Sequence, residues 1–535
     1  MATPSLAMIP SAYADSKLYS LIPNNGDGDF TFNRDSSATR IGQNGLIQTV
    51  GYFGSELVTN GDFATDTDWT KETGWTISGG TANFSGGTGN KAIYQAAGIT
   101  NGKTYKIQYQ VSSISAGQVA VRLGGMAGVD EITATTIGNY TGYITATGSA
   151  NGNIHIEDND NNFVGSVDNL SVKEVLGDQP RLNYDISNGV VQSCPSLLLE
   201  PASTNLVPYS EDFSQWTSDT NASITSNSII SPDGTQNADK LIAGSSTARQ
   251  AIKFNLTASG DISAYVFAKK GEYTVIQLTD ASSPSAFANF DLENGLVGST
   301  DTYTANIENY GNGWFKCSIT YNSVGSINSF RLSITQSSTS ARLVNFAGNN
   351  SDGLYIYGAQ VEALSYATSY IPTNGSSQTR AAETCFGAGT SSTFNSTEGV
   401  LYCEISALSD DLTYRLISLS DGTSNNRIYL GFNSTTNTIY FVSEAGGVTQ
   451  VLITYTVTTL TDFMKLAVKY KVNDYSLYLN GQEVATDTLG TVPSGLNSLQ
   501  FNSGAGSSIF YGNTKDVRVF NEALTDLQLQ KLTTL

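Results

Sequence analysis

"KTYKIQYQVSS", residues 103–113, places an apolar or aromatic side chain at every second position: Tyr105, Ile107, Tyr109 and Val111. A period of two marks a strand with one buried face, because successive side chains of extended backbone leave on opposite sides. The pattern recurs in "QVAVRLGG" (118–125), "NIHIED" (153–158), "DISAYVFAKK" (261–270), "WFKCSITYN" (314–322), "FMKLAVKYK" (463–471) and "YSLYLNGQEV" (475–484). Each run is short, rich in Val, Ile, Tyr, Phe and Thr, and bounded by Gly, Asn, Asp or Ser. The expected fold class is all-β, with several β-sandwich or jelly-roll modules in tandem. A helix is expected only in "NEALTDLQLQKL" (521–532), where Thr525 and Gln528 fit a capping box and Leu529 and Leu532 share a face.

Composition narrows the function classes. A chain of 535 residues is too long for one hydrophobic core, and about three or four domains are expected. Hydrophobic residues at 39% suffice for packed interiors, whereas only 14% are charged, so the surface is dominated by Ser, Thr, Asn, Gln and Gly. The formal net charge of −20 repels a phosphate backbone and disfavours nucleic acid as a partner. No run approaches the roughly 18 apolar residues of a membrane span. "SLAMIPSAYAD" lacks the basic start of a signal peptide. Cys194, Cys317, Cys385 and Cys403 form no CxxC pair, so neither a zinc nor a redox motif is read.

Catalytic chemistry finds little to stand on. His155 is the single histidine, set in an alternating run and read as structural, and no GxSxG elbow accompanies it. No catalytic residue is assigned and the chain is read as non-enzymatic. A carboxylate pair for glycoside hydrolysis is not marked out among the 47 acids.

The modules are bounded by a weak internal repeat. "ELVTNGDFATDTDWT" from Glu56 and "NLVPYSEDFSQWT" from Asn205 each open a β-rich stretch, the first closing near residue 176 and the second near 363. The resulting division is an extended N-terminal arm (1–55), a jelly roll (56–176), a linker (177–204), a second jelly roll (205–363), a linker (364–392) and a last β-rich segment (393–535). "FTFNRDSSATRIGQNGLIQTV" (30–50), "PRLNYD" (180–185), "CPSLLLEPASTNLVPYSEDFSQW" (194–216) and "ATSYIPTNGSSQTRAAE" (367–383) resemble structural proteins of tailed-bacteriophage virions, those of fibres and of tail or capsid appendages. The first two pieces lie close together in relatives, so residues 56–176 read as an insertion. The jelly rolls resemble carbohydrate-binding modules. "EGVLYCEISA" (398–407) and "KDVRVFNEALTDLQLQKL" (515–532) make the last segment similar to a concanavalin A-like or laminin G-like lectin sandwich.

These resemblances imply a virion component that meets capsid or tail proteins of the same particle, is a homotrimer as phage fibres are, and displays host-directed glycan-binding modules. The arm, with Arg34 and Arg40 among small polar residues, is expected to lie along another subunit, and its removal to leave the sandwiches folded. An alternative reading of the arm packs it against the chain's own second module. Glycan binding requires exposed aromatics beside polar groups, and Trp69, Trp75, Tyr94 and Trp216 are the candidates, whereas Trp314 reads as core. A structural calcium in the first jelly roll is one reading of its acidic residues, solvated turn residues being the other. "EDNDNN" (157–162) offers Asp158 and Asp160, and the resemblance to carbohydrate-binding jelly rolls adds Asp62 and Asp168. Two other functions fit the same sequence: a purely architectural capsid or tail cement whose sandwiches are spacers, and a glycan depolymerase.

Overall fold

In the computed structural model, residues 2–124, 131–147, 151–280 and 286–534 are described. Regular structure is almost entirely strand; among the described residues the α-helix is Asp526–Thr533, with one 3-10 turn at Phe213–Gln215. The helix starts as its sequence requires, with the Thr525 side chain accepting from the Gln528 N–H and the Gln528 side chain reaching back to Thr525. Leu529 and Leu532 are buried. Among the described residues no helix is long and apolar enough to cross a membrane.

The chain forms two compact units, Gly51–Gly177 and, separately, residues 1–50 together with 178–535. In the first, the strand Thr104–Ala116 buries Tyr105, Ile107, Tyr109 and Val111 and exposes the residues between them more, as the period of two demands. It lies in a six-stranded sheet with Gly138–Thr145 and Val164–Gly177 as neighbours. A five-stranded sheet, in the order Glu131–Ala134, Val119–Leu123, Asn153–Asp158, Ala92–Ala96 and Thr70–Lys71, supplies the other layer. Val119, Val121, Leu123, Ile154 and Ile156 from this sheet share one core with Ile107 and Val111 from the other.

The second unit contains two further large cores besides smaller clusters. One belongs to a ten-stranded sheet spanning residues 217–362, built on two long antiparallel strands, Gln250–Lys269 and Trp314–Thr335. Residues from both halves of each long strand, such as Ile252 with Val266 and Ile319 with Leu332, fall in the same hydrophobic cluster. The other core is a sandwich of an eight-stranded sheet, including Glu398–Ala407, Met464–Lys471 and Gly512–Phe520, and a five-stranded sheet, including Arg415–Ser420 and Arg427–Phe432.

The N-terminal stretch is part of that last sandwich, which corrects the expectation of a free arm. Leu6–Met8 pairs with Gly512–Phe520 in register Ala7 to Arg518, and Leu6, Met8, Leu18, Phe30 and Phe32 are buried in the sandwich core. The segments read as linkers contribute as well. Arg181–Asn183 and Ser196–Leu199 are strands of the eight-stranded sheet, and Thr384–Phe386 pairs with Phe30–Asn33. Polar composition misled because alternate residues in "FTFN" point inward: two phenylalanines are enough for a buried strand face.

Arg34, expected on a partner's surface, is fully buried and bonds to Glu383 at 2.9 Å. Glu383 also receives Arg181 through both carboxylate oxygens, Arg181 donates to Glu200 at 2.7 Å, and Arg380 lies 3.0 Å from Glu200. Backbone groups complete the set: Arg34 donates to the carbonyls of Ser36, Gln179 and Val50, and Arg380 to that of Pro201. Burial acts to raise the Glu200 carboxyl, but Arg380 and Arg181 override it and hold the group down at about 2.

Two expectations follow. Glu383→Gln leaves Arg34 and Arg181 without their shared counter-charge, and urea denaturation should show a loss of about 3–5 kcal/mol. Glu200 has a folded value of about 2 against an ordinary value of 4.5. Its stabilisation is therefore complete above pH 4.5 and lost as pH falls from there towards 2, where thermal melts should show the transition of this unit dropping most steeply.

Candidate functional site

On the five-stranded sheet of residues 51–177, one face packs the core and the other carries a row set by strand register. Thr70 pairs with Tyr94, Tyr94 with His155, His155 with Arg122, and Arg122 with Glu131. These five side chains share one face because directly paired residues on neighbouring strands point the same way. At about 4.8 Å between strands, the row spans roughly 19 Å.

The row combines an aromatic platform with polar groups. The Tyr94 ring stacks on the His155 imidazole with centroids 4.9 Å apart and planes 17° from parallel. Arg122 is buried beneath Glu131, Glu157 and Asn159, donating to all three. Both glutamates keep part of their side chains in solvent. Asn159 in turn donates to Gln118 at 2.7 Å. Burial lowers the His155 pKa, the Glu72 charge opposing and the Arg122 charge assisting, which favours the neutral imidazole. Its Nε2 is buried and has no hydrogen-bond partner among the described residues. A stacked, neutral ring pair flanked by carboxylates and amides suits a pyranose, whose face packs on aromatics and whose hydroxyls need acceptors and donors. Because one guanidinium engages both glutamates, they form a fixed charge cluster rather than an acid and base facing a scissile bond.

Tyr94 is thus the sequence candidate that the structure places on this face. The tryptophans are not available and are corrected to core. The Trp69 indole donates to the Asn60 carbonyl and lies against Phe63 with centroids 5.2 Å apart, Trp75 donates to Lys91 and packs on Phe84 at 4.9 Å, and Trp216 donates to Tyr209 and packs on Phe213 at 5.1 Å. All three are at most 8% exposed. Trp314 is core as expected. The sequence reads His155 as structural because one strand shows only alternation; its stacking partner stands on another strand, 61 residues away in sequence.

The acidic candidates divide into two sets. Asp158 is fully buried, with Oδ1 accepting the N–H groups of Asn162 and Phe163, each at 3.1 Å, and Oδ2 without a partner. Asp160 accepts from Gln118 and Asn162. Both carboxylates are therefore engaged in shaping the turn. Asp62 and Asp168 lie near one another: burial raises the Asp168 carboxyl, the Asn169 N–H opposes, and the Asp62 charge adds to the rise. Among the described residues, no three His, Cys, Asp or Glu side chains gather as a metal cluster.

Comparison with known proteins adds the following. Residues 403–530 match the family described as the concanavalin A-like lectin/glucanases superfamily. No curated protein matches the chain. Among solved structures, the CBM40 of Ruminococcus gnavus IT-sialidase bound to α2,3-sialyllactose is 17% identical, covering 28% of this chain and 88% of that one, with a TM-score of 0.24. The tandem CBM22-1–CBM22-2 of Paenibacillus barcinonensis Xyn10C is 12% identical, covering 59% and 98%, with a TM-score of 0.20. Domains LG4-5 of the mouse laminin α1 chain are 10% identical, covering 65% and 96%, also at 0.20.

The contrast between platform and core is measurable. Trp75→Ala and Trp216→Ala should each cost about 3–5 kcal/mol in urea denaturation, and Tyr94→Ala no more than about 1 kcal/mol.

Proposed function

We propose that this chain is a non-catalytic structural component of a tailed-phage virion that binds glycans through the exposed face of the 51–177 sheet. The observation that carries the glycan reading is the Tyr94–His155 stack beside the Glu131, Glu157 and Asn159 cluster. The virion attribution rests on the resemblance of residues 30–50, 180–185, 194–216 and 367–383 to phage structural proteins. Capsid or tail subunits are the proposed partners, a homotrimer the proposed state and the virion the proposed location. Because Arg34 is buried, contact with the particle is assigned to the folded surface of the second unit rather than to a free arm. Burial of Trp216 and Trp314 is the observation that favours an architectural role for the ten-stranded sheet of residues 217–362.

A calcium ion at Asp62 and Asp168 belongs to this proposal, since a divalent cation would relieve the repulsion between those carboxylates. Backbone carbonyls would complete its oxygen shell.

The intact chain should be retained on an array of host-surface polysaccharides, and Tyr94→Ala should weaken the signal about tenfold, given roughly 1.4 kcal/mol for one aromatic stack. Undiminished binding by that variant would move the site elsewhere; no binding at all would leave the spacer reading. Mass spectrometry of purified particles tests incorporation, and sedimentation tests the trimer. For calcium, millimolar addition should raise the melting temperature of the wild type, chelation should reverse it, and Asp168→Asn should be insensitive to both.

A further inference from the structure

Arg40 differs from the other arginines. Among the described residues the side chain of each of the others donates hydrogen bonds or forms an ion pair, whereas that of Arg40 does neither; its contact is with the Tyr13 ring, 5.7 Å from the guanidinium carbon. Its Nε is buried without a hydrogen-bond partner, as are those of Arg331 and Arg380, but those two arginines lie in ion pairs. A buried donor without an acceptor is unfavourable, and in a chain of net charge −20 an unpaired arginine is not explained by a shortage of acids.

The residue is held in place by its backbone. It belongs to the hairpin of Ala38–Ile41 and Ile47–Val50, and the next residue, Ile41, accepts from the Tyr184 N–H while its own N–H donates to Asn183. Arg40 stands where two cavities of the second unit meet. The inner one, of about 240 Å³, is lined by Asn183, Phe267, Tyr310 and Lys316 among others. The outer one, of about 530 Å³, is lined by Tyr13, Gln43, Asn44, Gln48, Leu182 and Tyr184 besides Arg40.

Charge accounting leaves one positive charge over. Of the acids lining the inner cavity, Glu200 is bound by Arg181 and Arg380, Glu308 lies 3.8 Å from Lys316, and Asp185 lies 3.7 Å from Lys515. The outer cavity has no acidic lining residue. What remains is a guanidinium flanked by two half-buried tyrosines and three side-chain amides. Such a set suits a ligand that brings a carboxylate for the arginine, a ring face for the tyrosines and hydroxyls for the amides.

We propose that the outer cavity at Arg40 is a binding site for an acidic saccharide, a pyranose bearing a carboxylate, with the carboxylate on the Arg40 guanidinium. The site is independent of the Tyr94 face, which lies in the other unit.

Isothermal titration of the whole chain tests this with glucuronic acid, glucose and acetate as probes. Glucuronic acid should bind, glucose and acetate about tenfold or more weakly, and Arg40→Gln should lose about tenfold in affinity for glucuronic acid. Tyr94→Ala should bind it as the wild type does. The Arg40 side chain makes no hydrogen bond or ion pair within the described fold, so Arg40→Gln should melt as the wild type does; Gln48→Ala, expected to weaken glucuronic acid alone, serves if it does not. Equal binding of glucose, equal binding of acetate, undiminished binding by Arg40→Gln, or no binding of glucuronic acid at millimolar concentration would each overturn the proposal. Loss of polysaccharide binding in Tyr94→Ala with glucuronic acid binding retained separates this site from the sheet face.

Discussion

Five buried charges, Arg34, Arg181, Glu200, Arg380 and Glu383, hold together segments that are far apart in sequence. A buried ion pair contributes little net stability compared with a well-packed apolar substitute, yet breaking one leaves an uncompensated charge in a medium that solvates it badly. The consequence here is positional. Each segment carrying one of these residues must reach the same place, and the strands that contain or adjoin them, Arg181–Asn183 and Ser196–Leu199, are brought to the edge of the eight-stranded sheet. The stretches that seemed to be arm and linkers are therefore the parts that close the second unit.

The same network explains how 127 residues can be accommodated between Val50 and Asp178. Arg34 donates to the carbonyls of Val50 and Gln179, and the Asp178 carboxylate accepts the N–H groups of Arg34 and Asp35. Both flanks of the insertion are fixed to one residue. An inserted domain whose ends are held close leaves the host's strands undisturbed, and its own core is separate.

Function and stability draw on arginine in opposite ways. Arg34, Arg181 and Arg380 are bonded to buried acids, hydroxyls and carbonyls, and Arg122 organises a surface cluster on the sheet face. Arg40, six residues from Arg34 on the same polar stretch, has none. Side-chain chemistry is identical; what differs is whether the fold delivers an acceptor, and an undelivered acceptor is where a ligand gains most.

By itself the sequence determined the local properties: strands from a period of two, and the capped C-terminal helix from Thr525 and Gln528. These are legible because they depend on neighbours within a few residues. Tertiary structure alone decided that the tryptophans are core, that Phe30 and Phe32 complete a sandwich formed mainly by residues 398–520, and that Tyr94, His155, Arg122 and Glu131 form one row. Register and burial depend on residues tens to hundreds of positions away, and a shift of one residue in any of those strands would turn the row inward. No local pattern records that choice, so the candidate site had to be read from the folded chain.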